Sequence, residues 1–280
     1  MSTLNQRTSA LAFFIFLILT LLWTSVIAQE AEDESEFSYI RGSKKGPTKW
    51  GEIKKEWEKC NKGYMQSPID LSSERVKVVQ TLDQLKRKYK PSIAIVKNRG
   101  HDISVKWEGN AGSIEINGTD YRLQQAHWHS PSEHTLNGRR YDLELHMVHQ
   151  SSDPNAKYPI AVVGNFYKIG RPDSFLSKLN GEMKALINEE KEIKAGSIDP
   201  NEIKMDGKKY FRYMGSLTVP PCTEGVIWNI NKKIGTVSQE QVKFLRLVVH
   251  DSAEKNARPI QPHNGRQIDL YDSNPSHTPN

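Results

Sequence analysis

YRLQQAHWH, residues 121–129, is the stretch that decides the fold. Side chains two positions apart lie on one face of a β-strand, and this stretch has that period of two. The face that contains both histidines is predicted to consist of Tyr121, Leu123, Gln125, His127 and His129. The stretch therefore predicts a strand that presents two imidazoles side by side.

Further short strands bounded by turn residues lie on both sides of this one. They are predicted at Ile93–Val96, Ile103–Trp107, Ile114–Ile116 and Leu143–His149. Asn117-Gly118 predicts a hairpin turn. Helical periodicity is limited to a few places, mainly 175–187 and a segment that opens with a capping box at Ser238 and Gln241. We predict an α+β, β-dominated fold: a single domain around a large central, mostly antiparallel, twisted β-sheet with short peripheral helices.

The composition is that of a globular protein, with 36% hydrophobic and 26% charged residues. The formal net charge of +6 comes from 39 basic and 33 acidic residues that are spread along the chain. Because no long Lys/Arg block is present, we expect no nucleic-acid partner. No feature of the sequence indicates an oligomeric state.

The N-terminal residues 1–28 have the organisation of a signal peptide, with a polar start, an apolar stretch at Leu11–Leu22 and Val26-Ile27-Ala28 before a polar segment. The apolar stretch is shorter than the roughly 20 residues that a spanning helix needs, so we expect cleavage near Ala28 and no membrane span afterwards. An uncleaved anchor is the alternative. The remaining boundaries are predicted as an acidic disordered lead-in at 29–36, the domain at 37–272 and a flexible tail at 273–280.

The signal peptide implies the secretory pathway and an oxidising compartment. A disulfide between the two cysteines, Cys60 and Cys222, is therefore expected, with two free buried thiols as the alternative. Asn117-Gly118-Thr119 is a glycosylation sequon, consistent with the same route. We expect a secreted, extracellular protein.

A third histidine lies on a second predicted strand, DLELHMVHQ at 142–150. Period two places Glu144, His146 and Val148 on one of its faces. Three neutral histidines bind zinc while leaving a fourth position open for water, which is the arrangement of a catalytic site. The sequence thus predicts a Zn²⁺ cofactor, and its ligands are His127, His129 and His146.

Two polar side chains are candidates to orient these ligands. Gln125 and Glu144 each lie two residues from a ligand histidine on the same face and could accept a ring N–H bond. The alternatives are ordinary surface polarity for Gln125 and pairing with a nearby Arg or Lys for Glu144.

Several ordered motifs agree with one known family across about residues 37–270. They are GxxQSPIDL at Gly63–Leu71, NRGH at Asn98–His101, QAHWHSPSEHT at Gln125–Thr135, ELHMVH at Glu144–His149, GSLTVPPC at Gly215–Cys222 and RPIQP at Arg258–Pro262. On these motifs the chain resembles the α-class carbonic anhydrases, in a secretory-pathway, plant-like form. The resemblance implies reversible hydration of carbon dioxide to bicarbonate and a proton, with zinc-bound hydroxide as the nucleophile and the same three histidines as ligands.

The resemblance also implies roles for four further residues. Thr218 would accept the hydrogen bond of the hydroxide and donate its own to Glu133, whereas a plain strand hydroxyl is the alternative for Thr218. His101 lies at the family's proton-shuttle position, where an imidazole with a pKa near 6.5 can relay protons; a surface histidine is the alternative. Tyr39 would join the water network, or it is ordinary core.

An apolar pocket for carbon dioxide is the last feature that the resemblance implies. Its residues would be Val148, Val162, Leu217, Thr218, Val219, Val226 and Trp228. Val219 stands where many members carry a hydroxyl residue, and Arg99 and Ser104 stand where asparagine is common. We expect these departures to change the ordering of water in the site and the rate of hydration more than the binding of the metal.

Two other functions stay open for this sequence. One is a non-catalytic storage or binding member of the same fold, and the other is a weak zinc esterase, because the same nucleophile can attack an activated carbonyl. For the final compartment, a plastid reached through the ER is the alternative to secretion, since some plant members of the family are thought to take that route.

Overall fold

The alternating run at 121–129 lies within a strand, β7 (Thr119–His129), of the computed structural model. The structure describes residues 36–79, 82, 84–187, 192–205, 208–249 and 255–272. The predicted signal peptide, all of the acidic lead-in except Glu36, and the predicted tail lie outside the described residues.

The described strands are short to medium in length. They are β1 (Asp70–Leu71), β2 (Val76–Val78), β3 (Lys86–Tyr89), β4 (Ser92–Asn98), β5 (Ile103–Trp107), β6 (Gly112–Ile116), β7 (Thr119–His129), β8 (Thr135–Leu136), β9 (Arg139–Arg140), β10 (Leu143–Ser151), β11 (Ile160–Ile169), β12 (Glu192–Ile198), β13 (Lys209–Ser216), β14 (Glu224–Asn231), β15 (Gly235–Val237) and β16 (Ile268–Asp272).

The helices are few and short. The α-helices are α1 (Trp50–Ile53), α2 (Lys59–Lys62), α3 (Ser174–Lys178), α4 (Asn180–Ile187) and α5 (Gln239–Val248), and 3₁₀ turns cover Lys55–Trp57, Ser73–Arg75 and Pro200–Glu202. The predicted capping box of α5 is present, with Ser238 and Gln241 bonded reciprocally. The helical run predicted at 175–187 is two helices, because α3 ends at Leu179, where ψ is 2°.

One large sheet contains most of the described strands, in the order β12-β4-β5-β7-β10-β11-β14-β13-β16-β2. β6 joins it through β7, β3 joins it through β6, and β15 joins it through β11. The parallel pairs are β11·β14, β11·β15 and β16·β2, and the other described pairs of this sheet are antiparallel. The prediction of a β-dominated fold around a mostly antiparallel sheet is confirmed.

The hairpin predicted at Asn117-Gly118 joins β6 to β7. Both residues have positive φ, 50° and 77°, and Ile116 pairs with Thr119 across the turn. This is the backbone shape of a two-residue turn that matches the twist of the strands. Asn117 is exposed at the tip.

A β-bulge at Gln124 changes the alternation of β7. Against β10, Val148 lies opposite Gln125, but the next residue, His149, lies opposite Leu123. Gln124 is therefore an additional residue on β7 with no counterpart on β10. Because side chains alternate between faces, one extra residue reverses the face of everything that precedes it.

The prediction that Tyr121 and Leu123 share a face with the histidines is wrong because of this bulge. Tyr121 and Leu123 belong to the hydrophobic core together with Ala126, Trp128 and Met147, on the face away from the histidines. Sequence period alone cannot locate such an insertion, because a bulge leaves the residue types on either side of it unchanged.

The predicted disulfide is confirmed. Cys60 and Cys222 are bonded, with an S–S distance of 2.04 Å and a Cα–Cα distance of 5.0 Å. The bond joins α2 to the segment that follows β13 and contains Thr218. Within the described part of the chain, no helix is both long enough and apolar enough to cross a membrane.

Candidate metal centre

Three histidines converge at the centre of the sheet. His127 and His129 lie on β7, and His146 lies directly opposite His127 on β10. The ring centroids are 5.0, 5.2 and 4.7 Å apart for the pairs 127–129, 127–146 and 129–146. One ring nitrogen from each lies within 4.8 Å of the other two, and all three side chains are buried.

Hydrogen bonds at the outer ring nitrogens set the tautomers of the two β7 histidines. His127 Nδ1 donates to Gln125 Oε1 at 2.8 Å, and His129 Nδ1 donates to the backbone oxygen of Asn256 at 2.7 Å. Because each acceptor keeps the proton on Nδ1, Nε2 of both rings carries a free lone pair. The hydrogen bond predicted for Gln125 is present.

His146 has the opposite tautomer. Its Nε2 donates to Glu144 Oε1 at 2.8 Å, which leaves Nδ1 with the lone pair. The acceptor is a fully buried carboxylate, so its own hydrogen bonding decides whether it can serve as a charged acceptor.

The Glu144 carboxylate accepts several further hydrogen bonds that stabilise its charge. The backbone N–H groups of Glu133 and His134 donate to its Oε2, each at 2.8 Å, and His134 Nδ1 donates to Oε1 at 2.7 Å. Burial alone would raise the pKa of Glu144, but His134 and His146 hold it well below its ordinary value. The carboxylate is thus ionised and pairs with histidines, not with Arg or Lys.

The donor set fits a zinc ion. His129 Nε2 is buried and has no hydrogen-bond partner among the described residues, as expected of a nitrogen that binds a metal. Burial lowers the pKa of His146 and lowers that of His127 well below its ordinary value, so both rings are neutral, the form that ligates. Three imidazoles with inward lone pairs match the ligand set of catalytic zinc sites.

A second group of metal-binding residue types, His134, Glu144 and His146, fits less well. His134 Nδ1 and His146 Nε2 already donate to one oxygen of Glu144. These atoms are hydrogen-bonded to each other, so they are not available as a ligand set.

Glu133 and Thr218 are both buried, and Glu133 lies beside this centre. The backbone N–H of Arg258 donates to Glu133 Oε1 at 2.9 Å, and Oε2 lies 3.6 Å from His129 Nε2. Oε2 has no hydrogen-bond partner among the described residues. A hydrogen bond from Thr218 to Glu133 is not among those formed, so that partnership stays a prediction.

His101 lies in an aromatic cluster near the chain start. Its ring centroid is 5.2 Å from that of Phe37, which in turn contacts Tyr39 at 5.9 Å. His101 is only 3% exposed, so it is not a plain surface histidine. Tyr39 is buried against Phe37 and Trp50, as a core residue would be, and its place in a water network stays a prediction.

The predicted pocket residues are buried except Val148, which is half-buried. Val162 lies opposite Val148 on β10 and beside Trp228 on β14, and the Trp228 ring is 4.8 Å from that of His146. Leu217 and Val226 are buried outside the main hydrophobic cluster, whereas Val219 belongs to it. The structure thus brings an apolar row next to His146.

The two polar departures also lie near the centre. Ser104 is buried opposite His127 in the pairing of β5 with β7. Arg99 is buried as well and pairs with Asp102.

Sequence reasoning missed Asn256, which ties several parts of the site together. Its backbone oxygen accepts from His129, its Oδ1 accepts from Ser130 N at 2.8 Å, and its Nδ2 donates to the backbone oxygen of His101 at 2.7 Å. Asn256 lies 127 residues from His129 along the chain, and no periodic signal marks it.

Known proteins are similar to this chain over most of its length. The family described as eukaryotic-type carbonic anhydrase matches residues 45–272. Alpha carbonic anhydrase 7 of Arabidopsis thaliana is 53% identical over 260 residues, which cover 92% of this chain and 93% of that protein.

Solved structures are similar to this chain as well. A dioscorin complexed with ascorbate has a TM-score of 0.82 and 47% identity, and the match covers 85% of this chain and 98% of that one. The alpha-carbonic anhydrase of Thermovibrio ammonificans, in complex with the inhibitor sulfanilamide, has a TM-score of 0.74 and 35% identity, over 83% of this chain and 98% of that one.

Proposed function

This chain belongs to the eukaryotic-type carbonic anhydrase family, and from that premise we propose that it hydrates carbon dioxide reversibly at a zinc ion held by His127, His129 and His146. The observation that carries the proposal is the buried His129 Nε2, which has no hydrogen-bond partner in the described part of the chain and lies where the three imidazole rings converge. Zinc in such a set supplies Lewis-acid activation of water, the effect for which carbonic anhydrases are the standard example.

The residues around the ligands hold the rings in place. Gln125, Asn256 and Glu144 each accept the outward ring N–H of one histidine, which fixes both the tautomer and the ring plane. The three acceptors differ in charge, because one is an amide, one is a backbone carbonyl and one is a carboxylate. The carboxylate makes His146 the most electron-rich of the three rings.

Glu133 and Thr218 would orient the attacking water. The hydrogen bond from Arg258 N keeps Glu133 Oε1 occupied, so Oε2 is the acceptor left for the Thr218 hydroxyl. A hydroxyl that donates to Glu133 can only accept from the water, and this directs the lone pair of the water oxygen at the substrate. The support for this role is the position of Glu133 beside His129, the burial of Thr218 and the family to which the chain belongs.

The apolar row beside His146 would hold carbon dioxide. Val148, Val162 and Trp228 offer no hydrogen-bond donor towards it, because the Trp228 indole N–H donates to Ser216 O at 3.0 Å. Such a wall suits an uncharged substrate better than bicarbonate, and so favours release of the product. Leu217, Val219 and Val226 would complete the wall.

His101 would carry the proton to buffer. Its imidazole is 3% exposed and packs against Phe37, so delivery to solvent requires either a turn of the ring or relay through neighbouring groups such as Tyr39. The bond from Asn256 to the His101 backbone holds the base of this side chain at a constant position relative to His129.

We place the protein in the secretory route. The disulfide supports an oxidising compartment, and the exposed sequon at Asn117 is accessible to glycosylation. The apoplast is the proposed destination, with the plastid as the alternative. Imaging of a full-length chain with a C-terminal fluorescent tag distinguishes the two, and sensitivity to an N-glycosidase shows whether Asn117 is modified.

Two alternatives have some support. The similarity to a dioscorin complexed with ascorbate favours a binding role, and an activated water at this site could also hydrolyse esters. Elemental analysis after dialysis, together with hydration of carbon dioxide and hydrolysis of an activated ester on one sample, tests all three. The proposal expects one zinc per chain and hydration far faster than ester hydrolysis, both suppressed by sulfanilamide. Zinc-free protein that remains inactive after zinc is added would favour the binding role.

A further inference from the structure

A cavity lies on the face of the sheet opposite the three histidines. It has a volume of about 440 Å³ and forms where β11 changes its neighbour. β11 pairs with β14 as far as Gly164 and with β15 only from Tyr167 onwards. Because Gly164 lies opposite His146 and shares its face, the next residue, Asn165, faces the other side.

Two buried amides line this cavity, Asn165 of β11 and Asn231 at the end of β14. They are 4% and 8% exposed. By direct hydrogen-bond geometry, neither Oδ1 nor Nδ2 of Asn165, nor Oδ1 of Asn231, has a partner among the described residues, although the Asn165 amide interacts with the Tyr167 hydroxyl beside it. A buried polar atom whose hydrogen bonding is incomplete destabilises the fold, so these amide atoms at one cavity point to a polar molecule that bonds to them there.

The charges around the cavity favour an anion. Arg171, Lys204 and Lys233 line it, and Asp173 is the single carboxylate among its described lining residues. Asp173 Oδ1 accepts the Leu176 N–H at 2.9 Å, and burial raises the pKa of Asp173. The lining therefore carries an excess of positive charge, and Arg171 can pair with two oxygens of one acid group.

We propose that this cavity binds a small hydroxylated organic anion, whose acid group meets the three cations and whose hydroxyl groups bond to Asn165 and Asn231. The amides require both donors and acceptors, which hydroxyl groups supply and a bare inorganic anion does not. The volume is in the range of about 300–1,000 Å³ that is typical of small-molecule sites. The site is independent of the metal centre, which lies across the sheet.

Calorimetric titration of the zinc-loaded protein tests the proposal. Glucose 6-phosphate and gluconate are the probes, with a phosphate and a carboxylate as the acid group, and sulfanilamide is kept in the cell so that anions do not report on the metal. We expect saturable one-to-one binding of at least one probe, and binding of glucose and of inorganic phosphate weaker by about tenfold or more. No saturable binding of either probe, or equal binding of inorganic phosphate, would overturn the proposal.

Matched variants locate the bound probe. Lys204→Glu should weaken binding by about tenfold or more, and Lys55→Glu, an exposed change of equal charge on the first 3₁₀ turn, should have little effect. Asn165→Leu should weaken binding while hydration activity is retained. Equal effects of the two lysine variants would mean non-specific attraction and would also overturn the proposal, even if Asn165→Leu does not fold.

Discussion

Arg99 and Asp102 form a buried, bidentate ion pair beside His101. Arg99 Nε lies 2.7 Å from Asp102 Oδ1 and Nη2 lies 2.5 Å from Oδ2, and the residues are 6% and 1% exposed. Asp102 Oδ2 is also 3.5 Å from His101 Nε2. The arginine that departs from the family's common asparagine therefore has a charged partner, and the pair forms part of the wall beside the proposed proton path.

Asp102→Asn should destabilise the protein strongly. Burial alone would raise the pKa of Asp102, but the Arg99 guanidinium holds it well below its ordinary value, so the carboxylate is charged at neutral pH. Its removal leaves the buried Arg99 without its carboxylate partner, at a cost of about 3–5 kcal/mol in the free energy of unfolding. Urea unfolding of the zinc-loaded protein measures this. The double variant Arg99→Gln/Asp102→Asn should lose less free energy of unfolding than Asp102→Asn alone. A larger loss in the double variant would argue against the ion pair.

His149→Gln should make stability less dependent on pH. Burial lowers the pKa of His149 to about 3, and its Nε2 is 2.8 Å from Tyr89 Oη. The unfolded chain binds a proton at His149 below about pH 6.5 but the folded chain does not until about pH 3, so stability falls as pH falls through this window. Between these two pH values, the free energy of unfolding of the wild type should fall by about 1.4 kcal/mol per pH unit more than that of the variant. Unfolding curves at several pH values measure this, and parallel slopes would contradict the assignment.

Gln125→Leu should weaken zinc binding without unfolding the protein. The variant loses the acceptor for His127 Nδ1, and loss of such a partner typically costs about 10- to 100-fold in metal affinity. Competition with a chromophoric chelator measures the affinity. Gln239→Leu, an exposed change of the same type on α5, is the control and should leave the affinity unchanged. Equal affinities of Gln125→Leu and wild type would remove Gln125 from the site.

His101→Ala should slow hydration only where proton transfer is limiting. In dilute buffer the rate should fall on the order of tenfold or more, and imidazole should restore it. His263→Ala, a partly buried histidine near the end of the chain, should behave like wild type. A variant that matched wild type in dilute buffer would disprove the shuttle role and leave the zinc assignment in place.

Local patterns were sufficient to predict much of this site. Period two placed His127 and His129 on one face of a strand and His146 on one face of a second strand, because strand parity depends only on near neighbours. The same rule failed for Leu123, since one extra residue at Gln124 reversed the parity. The family resemblance extended the prediction to Thr218 and Glu133.

Contacts between distant segments could not be predicted in this way. Asn256 reaches His129 across 127 residues. The Asn165 and Asn231 cavity depends on where β11 exchanges β14 for β15, which is a property of the sheet order and not of either strand alone. The Arg99–Asp102 pair is local, but its burial is decided by the elements packed over it.

The central claim is that the three-histidine centre hydrates carbon dioxide. Stopped-flow hydration on one preparation, assayed first as zinc-loaded protein, then after chelation and then after zinc is returned, tests it most directly. We predict rapid hydration that sulfanilamide suppresses, loss after chelation and recovery with one equivalent of zinc. Stoichiometric zinc with no hydration above the buffer rate, or a rate that chelation leaves unchanged, would contradict the account.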